Sequence, residues 1–238
     1  MRRLTISFVI ALFAISLSAQ DLNKILNDHY KASGQDKLAK ISSVTISGKN
    51  TLVAMGMETG IKLYQARPNK LRVEADFAGQ KIIQTYNGTT GWMYAPAMGI
   101  SQPKQMGTEE LKSIMTQAEI DSPLWDYKAK GKNVELLGSS ADGSEYKIKV
   151  TDPAAEDMTI YINKETSLIT KLQMTTMANG MEAEVEMEMK DYKVIKGIPT
   201  AHYMGTKMSG QVVSTITFES IEYNKPLDAS LFEKPVIE

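Results

Sequence analysis

The side chains that most often carry chemistry are sparse in this chain. It has two histidines, His29 and His202, and no cysteine, which excludes disulfides, thiolate metal sites and a cysteine nucleophile. Neither histidine belongs to a motif such as HExxH, and the chain has no GxSxG, GxxxxGK[ST] or strand-linked GxGxxG pattern. The sequence therefore favours a structural role for both histidines and predicts no enzyme activity, no catalytic residue, no metal site and no cofactor.

One run of carboxylates could bind a metal ion. Four glutamates stand at every second position from Glu182 to Glu188, so they share one face of a predicted strand. Carboxylate oxygens suit calcium. Because same-face neighbours on a strand lie about 6 to 7 Å apart, one ion would need further ligands from elsewhere. A solvated strand face is the favoured interpretation, with calcium binding as the alternative.

The methionines are the most informative residue type. The chain has 15 methionines in 238 residues, and seven of them fall in the last third: Met174, Met177, Met181, Met187, Met189, Met204 and Met208. Methionine is flexible and polarizable, and it is over-used where an apolar surface must fit varied partners. Composition leaves two interpretations open, which are a core filled with methionine and an adaptable apolar pocket.

The elements that must position these residues begin with a helix. After Asp21, apolar side chains at Leu22, Ile25, Leu26 and Tyr30 recur at helical spacing until Gly34 interrupts the pattern. This spacing predicts one amphipathic helix at the start of the fold, followed by a shorter helical turn.

From Val44 the period changes to two. Leu71, Val73, Ala75 and Phe77 alternate with charged residues, which is typical of a strand with one apolar and one wet face. Turn signals such as Asn87-Gly88 favour consecutive antiparallel pairing. About twelve strands are predicted, over residues 44–53, 57–65, 71–77, 80–86, 92–94, 134–137, 146–150, 158–162, 169–177, 183–189, 202–208 and 212–223.

A helical segment interrupts the strands between Pro96 and Pro123. Thr108 can cap a helix whose apolar residues Leu111, Ile114, Met115 and Ala118 share one face. A sheet of about twelve strands must curl, and two helices are the only candidates to fill its concave side. Because two helices bury only part of the concave apolar surface, the sequence favours an apolar cavity over a solid core. We expect Leu111, Ile114 and Met115 to face this cavity and Trp125 to lie behind them.

The N-terminus predicts export. Arg2 and Arg3 precede the apolar run from Leu4 to Leu17, and small residues follow at Ser18 and Ala19, as in a secretory signal peptide. An uncleaved anchor is the alternative, and cleavage after residue 18, 19 or 20 stays open. We expect a signal peptide over residues 1–20 and a single domain over 21–238. The net charge of −1 argues against a nucleic-acid partner.

Three motifs carry a resemblance to a known family. They are the strand entry Arg67-Pro68-Asn69-Lys70-Leu71-Arg72, the segment Gly88-Thr-Thr-Gly91-Trp92-Met93-Tyr94-Ala-Pro96 one hairpin later, and the C-terminal Asn224-Lys-Pro226-Leu227-Asp228-Ala-Ser-Leu231-Phe232. In their order and spacing they resemble the outer-membrane lipoprotein carriers, the LolA/LolB-like periplasmic proteins. The resemblance spans essentially the whole chain after the predicted signal peptide.

The resemblance implies an α+β fold, in which a strongly curled antiparallel sheet of about 11 or 12 strands forms an incomplete barrel. An N-terminal helix and an inserted lid helix would cover a hydrophobic cavity. Arg67 matches the arginine that holds the lid closed in the family. The residues expected at the cavity and lid are Leu71, Val73, Phe77, Trp92, Tyr94, Leu111, Ile114, Met115, Trp125, Met174, Met187 and Met189.

In function, the resemblance implies a periplasmic carrier that binds acyl chains of lipoproteins or other lipids for outer-membrane lipoprotein sorting. Inner- and outer-membrane transfer proteins would be its partners. The alternative is a periplasmic sensory module of the same fold that regulates a membrane protein.

Overall fold

The computed structural model describes residues 21–178 and 181–237 of the chain. The predicted signal peptide and the Asn179-Gly180 turn lie outside the described residues. Among those described, one antiparallel sheet dominates. Its strands are β1 (Ser43–Leu52), β2 (Met57–Ala66), β3 (Lys70–Phe77), β4 (Gln80–Tyr86), β5 (Gly91–Ala95), β6 (Ile100–Gln105), β7 (Asn133–Ser139), β8 (Glu145–Thr151), β9 (Met158–Asn163), β10 (Ile169–Ala178), β11 (Met181–Ile195), β12 (Ile198–Met208) and β13 (Gln211–Tyr223).

The sheet order runs β6-β5-β4-β3-β2-β1-β13-β12-β11-β10-β9-β8-β7. Every strand except the two at the edges pairs with its sequence neighbours, and β1 pairs with β13 to join the two halves. The predicted α+β fold with antiparallel strands is confirmed. The strand count is 13 rather than 11 or 12.

The additional strand is β6, which contains Pro103. Proline cannot donate a ladder hydrogen bond and is tolerated at a sheet edge. β6 occupies one edge and pairs with β5 alone, and the register of this pair shifts between Met93 and Ala95, opposite the part of β6 that contains Pro103. The edge position tolerates this interruption, and the proline hides the strand from pattern analysis.

Strong curling of the sheet is visible at its centre. Gln65 on β2 and Leu172 on β10 line one cavity, although five inter-strand steps separate these strands in the sheet order. In a flat sheet those steps would place them roughly 24 Å apart. The sheet therefore wraps around the cavity, and it stays open because β6 and β7 stand at opposite ends of the order.

Three helices cover the concave side of the sheet. They are α1 (residues 21–32), α2 (Gln35–Leu38) and α3 (Thr108–Ala118). The range predicted for α3 is confirmed, but its N-cap is Gly107 rather than Thr108. The Glu110 side chain accepts a hydrogen bond from the Gly107 N–H at 2.7 Å, and it ties the helix start in place. No helix among the described residues is long and apolar enough to cross a membrane.

Glycine is required where α2 meets the sheet. Gly34 precedes α2 with φ +65°, and a Cβ there would lie 2.9 Å from the carbonyl oxygen of Gly197 in the β11–β12 turn. A larger residue would meet both backbone strain and a clash. Gly34 therefore lets α2 approach the sheet closely.

The core is divided into three clusters along the inner face, by which we mean the face that carries Val44, Leu71 and Ile160. α1 packs Ile25 and Leu26 on the cluster of β7–β10, and α3 packs Ile114 on the cluster of β3 and β4. The third cluster, around Ile198 and Ile221, lies between them. α1 and α3 thus cover the two sides of the sheet, which we call its wings: β7–β10 and β3–β5. The centre of the sheet is covered by the short α2 and the segment after α3.

Candidate functional site: an apolar cavity and its latch

An apolar cavity of about 260 Å³ lies at the centre of the inner face. Its floor comes from β1, β2 and β10–β13, and its roof comes from α1, α2 and residues 120–123. The apolar side chains that line it are Leu38, Val44, Ile46, Ile120, Leu168, Ile169, Leu172, Met189, Ile198 and Ile221. Such a lining favours an apolar ligand through burial of its surface.

The polar groups at the cavity wall are already paired. Tyr192 Oη donates to the carbonyl oxygen of Ile169 at 2.5 Å, and burial raises the pKa of Tyr192 to about 12. His29, which is 2% exposed, has one ring nitrogen 2.9 Å from the carbonyl oxygen of Ser167 and the other 2.9 Å from Ser122 Oγ. These groups hold the wall together and leave the cavity apolar.

Arg67 is the centre of the latch, which we define as Arg67 with Asp121 and Gln35. Both terminal nitrogens of Arg67 donate to the Asp121 carboxylate at 2.6 Å. Its Nε donates to the carbonyl oxygen of Ile41 at 2.7 Å, and Nη2 also donates to that of Leu38 at 3.1 Å. One side chain directly after β2 therefore holds both the end of α2 and the segment after α3, through charge-assisted bonds that are stronger than neutral ones.

Gln35 completes the latch from α2. It is fully buried, and its Nε2 donates to Asp121 Oδ1 at 2.9 Å while its Oε1 accepts from the Ser122 N–H at 3.1 Å. An amide side chain can donate and accept at once, so Gln35 joins the two covering segments directly. Removing Arg67 would leave the two covering segments joined to each other, with Gln65 of β2 still donating to the carbonyl oxygen of Gln117 at 2.7 Å.

The charges of the latch stabilise each other. Burial by itself raises the pKa of Asp121, but hydrogen bonds from Arg67 and Gln35 outweigh it and hold that pKa below its usual value. The hydrogen bond to Asp121 raises the pKa of Arg67 above its usual value. Both groups are therefore charged at neutral pH, and the latch is closed as an ion pair.

The residues predicted for the cavity and lid fall into separate groups. Leu71 and Val73 pack with Leu111, Ile114 and Met115 of α3 in the cluster at β3 and β4. The apolar face of α3 was expected to face the cavity, but it packs on the sheet in this cluster. The central cavity lies beside this cluster, and its walls include Met189 from the predicted set.

The three methionines predicted for the cavity share the inner face. Met174, Met187 and Met189 are partly buried against the cluster that also holds Ile160 and Leu172. Register explains the arrangement, since Leu172 pairs with Met187 and Met174 pairs with Met158 across neighbouring strands.

Trp92 and Tyr94 lie on the opposite face. Trp92 pairs with Thr85, which in turn pairs with Arg72, whereas Leu71 and Val73 point to the inner face. Lys234 lies over the Trp92 ring at 5.2 Å, so the C-terminal segment covers this tryptophan. This placement corrects the expectation for both aromatic residues, because alternation puts positions 92 and 94 on the face away from the cavity.

Two other aromatic residues are also away from α3. Trp125 packs edge-on against Tyr30 of α1, with ring centroids 5.0 Å apart, and not behind Leu111 and Met115 as expected. Phe77 ends β3, six residues after Leu71 and so roughly 20 Å along the strand. The segment after α3 crosses to α1, a path that local sequence patterns do not reveal.

Two of the four glutamates of β11 are ion-paired on the outer face of the sheet. Glu186 lies 3.5 Å from Lys171 Nζ, and Glu188 pairs with Lys190 and Lys207. Within residues 21–178 and 181–237, no group of three or more His, Asp and Glu side chains is arranged to hold a metal ion. Lysines on β10 and β12 thus take the place that an ion would need.

Sequence reasoning missed most of the residues that line the cavity. Val44, Ile46, Ile198, Ile221 and Tyr223 come from strands that the alternation pattern identified, but the pattern does not say which strands lie under α2. Asp121 and Gln35 were missed as latch partners because each is an ordinary polar residue in its local sequence.

Comparison with known proteins gives similarity in structure alone. No family model matches the chain, and no curated protein matches it in sequence. Among solved structures, a LolA superfamily protein from Nitrosomonas europaea aligns with a TM-score of 0.57 and 15% identity, over 89% of this chain and 97% of that one. A DUF1329 family protein from Desulfovibrio piger gives 0.58 and 15%, over 87% and 96%.

A third structure, a domain named for outer-membrane lipoprotein sorting from Vibrio parahaemolyticus, aligns with a TM-score of 0.55 and 11% identity, over 85% of this chain and 95% of that one. At these identities the similarity concerns the fold. The chain has a LolA-like fold, and the resemblance predicted from its motifs is confirmed at that level.

Proposed function

We propose that this protein is a non-enzymatic carrier that binds acyl chains in its central cavity and moves them across the periplasm. Lipoproteins sorted to the outer membrane or other lipids are the proposed cargo, and inner- and outer-membrane transfer proteins are the proposed partners. The observation that carries the proposal is the apolar cavity beneath covering segments that one latch holds to the sheet.

Cavity size supports a carrier that opens. Sites for drug-sized ligands measure about 300 to 1,000 Å³, and this cavity of about 260 Å³ is smaller. Cargo therefore requires displacement of the covering segments. Each buried methylene contributes about 0.8 kcal/mol, so ten of them contribute roughly 8 kcal/mol before the cost of ordering the ligand.

The latch suits a carrier because it is polar and reversible. Closing it competes with cargo for the inner face, so the closed state aids release while the open state takes up lipid. If apolar packing alone held the covering segments closed, cargo and lid would not compete through a few polar bonds that break and re-form. The residues proposed to contact cargo are those of the cavity, together with the apolar faces of β3 and α3 once α3 moves.

The test is lipid retention and uptake. Protein purified from its own periplasm is analysed by native mass spectrometry and lipid extraction, and separately titrated with a fluorescent fatty acid. We expect co-purified lipid or saturable uptake. A chain that neither retains lipid nor accepts the probe, and instead captures one stoichiometric membrane-protein partner, would replace the carrier proposal with the sensory alternative.

A further inference from the structure

A second cavity, of about 340 Å³, adjoins the apolar one and differs from it in chemistry. The two share Ile120 and Asp121 in their walls. We call the second one the polar cavity. Its charged lining residues are the cations Arg67, Lys130 and Lys132 and the carboxylates Glu119, Asp121 and Asp152. The latch therefore stands between an apolar space and a charged one.

The six charges of the polar cavity are held close together. Lys132 Nζ lies 2.9 Å from Glu119 and 3.1 Å from Asp152, and Lys130 Nζ lies 2.8 Å from Glu119. The Lys132 and Asp152 side chains are each 9% exposed. Removing so many charges from water is costly even when they are paired.

Two features of this cluster bear on what it can bind. The positive and negative groups are equal in number, so the lining as a whole is neutral. Asn69 Oδ1, in the wall of the same cavity, is buried and accepts no hydrogen bond from the part of the chain that the structure describes. A buried acceptor without a donor carries a desolvation cost, which a ligand with N–H groups would relieve.

We infer that the polar cavity receives the headgroup of a zwitterionic phospholipid that carries a phosphate and an ammonium group, while an acyl chain of the same lipid occupies the apolar cavity. This inference rests on the proposed carrier function and gives its cargo a chemical class. The phosphate accepts from Lys130 and Lys132, and the ammonium donates to Glu119, Asp152 and Asn69.

Charge complementarity selects this headgroup. A headgroup with a net negative charge would leave one carboxylate of the lining unmatched in a partly buried place. In a zwitterion, the phosphate replaces one carboxylate as the partner of a lysine, and the ammonium pairs with the carboxylate that is released. The total charge of the cavity stays at zero. The shared wall at Ile120 and Asp121 places head and tail of one molecule on the two sides of the latch.

The experiment compares lyso-phosphatidylethanolamine with lyso-phosphatidylglycerol, both with the same fluorescent tail, and with the neutral apolar dye N-phenyl-1-naphthylamine. We expect the ethanolamine lipid to bind at least 10-fold more tightly than the glycerol lipid. In the double variant Lys132→Gln/Asp152→Asn the preference should fall below threefold. Lys171→Gln/Glu186→Gln, which removes an ion pair of the outer face, is the matched control and should keep the preference.

The outcomes separate this inference from the proposed function. Binding of dye and both lipids with equal lipid affinities would overturn the headgroup site and leave the carrier proposal standing. If neither the dye nor either lipid binds, the carrier proposal itself fails. A preference that survives the double variant would place the headgroup elsewhere, and free O-phosphoethanolamine binding as tightly as the lipid would show a soluble ligand instead.

Circular dichroism shows whether the double variant folds. If it does not, Lys130→Gln serves in its place, because the Lys130 side chain is 27% exposed and that of Lys132 only 9%. It should lower the preference at least threefold, and an unchanged preference would again overturn the inference.

Discussion

The two wings of the sheet are covered by helices of similar length that are anchored very differently. On the β7–β10 side, α1 joins a cluster of eleven buried residues, and it buries Ile25, Leu26 and His29. On the β3–β5 side, α3 joins a cluster of five and buries Ile114 and Ala118. More buried apolar surface means a larger cost of separation. α1 is therefore the more firmly held of the two helices, and we call it the foundation, whereas α3 is held by less buried apolar surface.

Hydrogen bonds strengthen the same contrast. α1 is tied down by both ring nitrogens of His29 and by Tyr30 Oη, which donates to the carbonyl oxygen of Leu124 at 2.5 Å. α3 meets the sheet through one strong polar contact, from Gln65 Nε2 to the carbonyl oxygen of Gln117 at 2.7 Å. The latch lies between the two wings, where Arg67 bonds to Asp121 in the segment that follows α3.

The largest expected effect comes from weakening the foundation. Leu26→Ala removes a side chain that is 3% exposed in the α1 cluster and should lower the free energy of unfolding by about 2 to 5 kcal/mol. Leu111→Ala in α3, where the leucine is partly buried, should cost less than half as much. Urea unfolding measures both, and equal losses would break the contrast between the two wings.

The second largest effect is expected at the latch. Arg67→Leu removes the bonds to Asp121, Leu38 and Ile41, so the open state gains and cargo affinity should rise. A charge-assisted bond contributes about 1.5 to 3 kcal/mol, which corresponds to roughly 10- to 150-fold. Transfer from loaded protein to acceptor vesicles should slow.

The matched control for the latch is Arg72→Leu. Arg72 also pairs with a carboxylate, Glu74, at 2.6 Å and donates to a backbone carbonyl, that of Leu231, at 3.0 Å. Because it lies on the outer face, we expect it to leave transfer unchanged. Equal transfer rates for wild type and Arg67→Leu would show that Arg67 is a strand-entry residue without a role in release.

A smaller effect should follow from charging the lid. Met115→Asp places a carboxylate on the α3 face that packs on β3 and borders the polar cavity. It removes apolar surface proposed to contact cargo and adds a negative charge to a lining whose charges are balanced. Affinity for a fluorescent fatty acid should fall about 3- to 10-fold, or roughly 1 kcal/mol. Gln117→Glu adds a negative charge on the exposed side of the same helix and should change little. Unaltered uptake in Met115→Asp would remove α3 from the lid.

The smallest expected effect is a pH dependence of the foundation. Burial lowers the pKa of His29 below its usual value, so the unfolded chain binds a proton at this residue more readily than the folded one. Stability should therefore fall as the pH drops below about 6.5, the usual histidine pKa. His29→Gln should flatten that fall in urea unfolding between pH 7 and pH 5. His202→Gln is the control, and an identical curve for both variants would exclude His29 as the cause.

Much of the architecture was readable from local pattern. The period-two alternation at Leu71 and Val73 located strands, and the spacing of Leu111, Ile114 and Met115 gave α3 its range and its apolar face. β6 was not predicted, because a proline such as Pro103 argues against a strand unless that strand is known to lie at a sheet edge. Trp92 and Tyr94 were assigned to the wrong face because the parity of a short strand depends on its partners' register.

By itself, the sequence determined the succession of helices and strands apart from β6, the antiparallel pairing of neighbours and the apolar side of the longer strands, because these depend on residues a few positions apart. Only the tertiary structure decided which strands meet beneath α2, that Asp121 and Gln35 join Arg67, and that the apolar and polar cavities share a wall. Gln35 and Asp121 are 86 positions apart, and contacts at such separations arise from curling of the whole sheet, which no local period encodes.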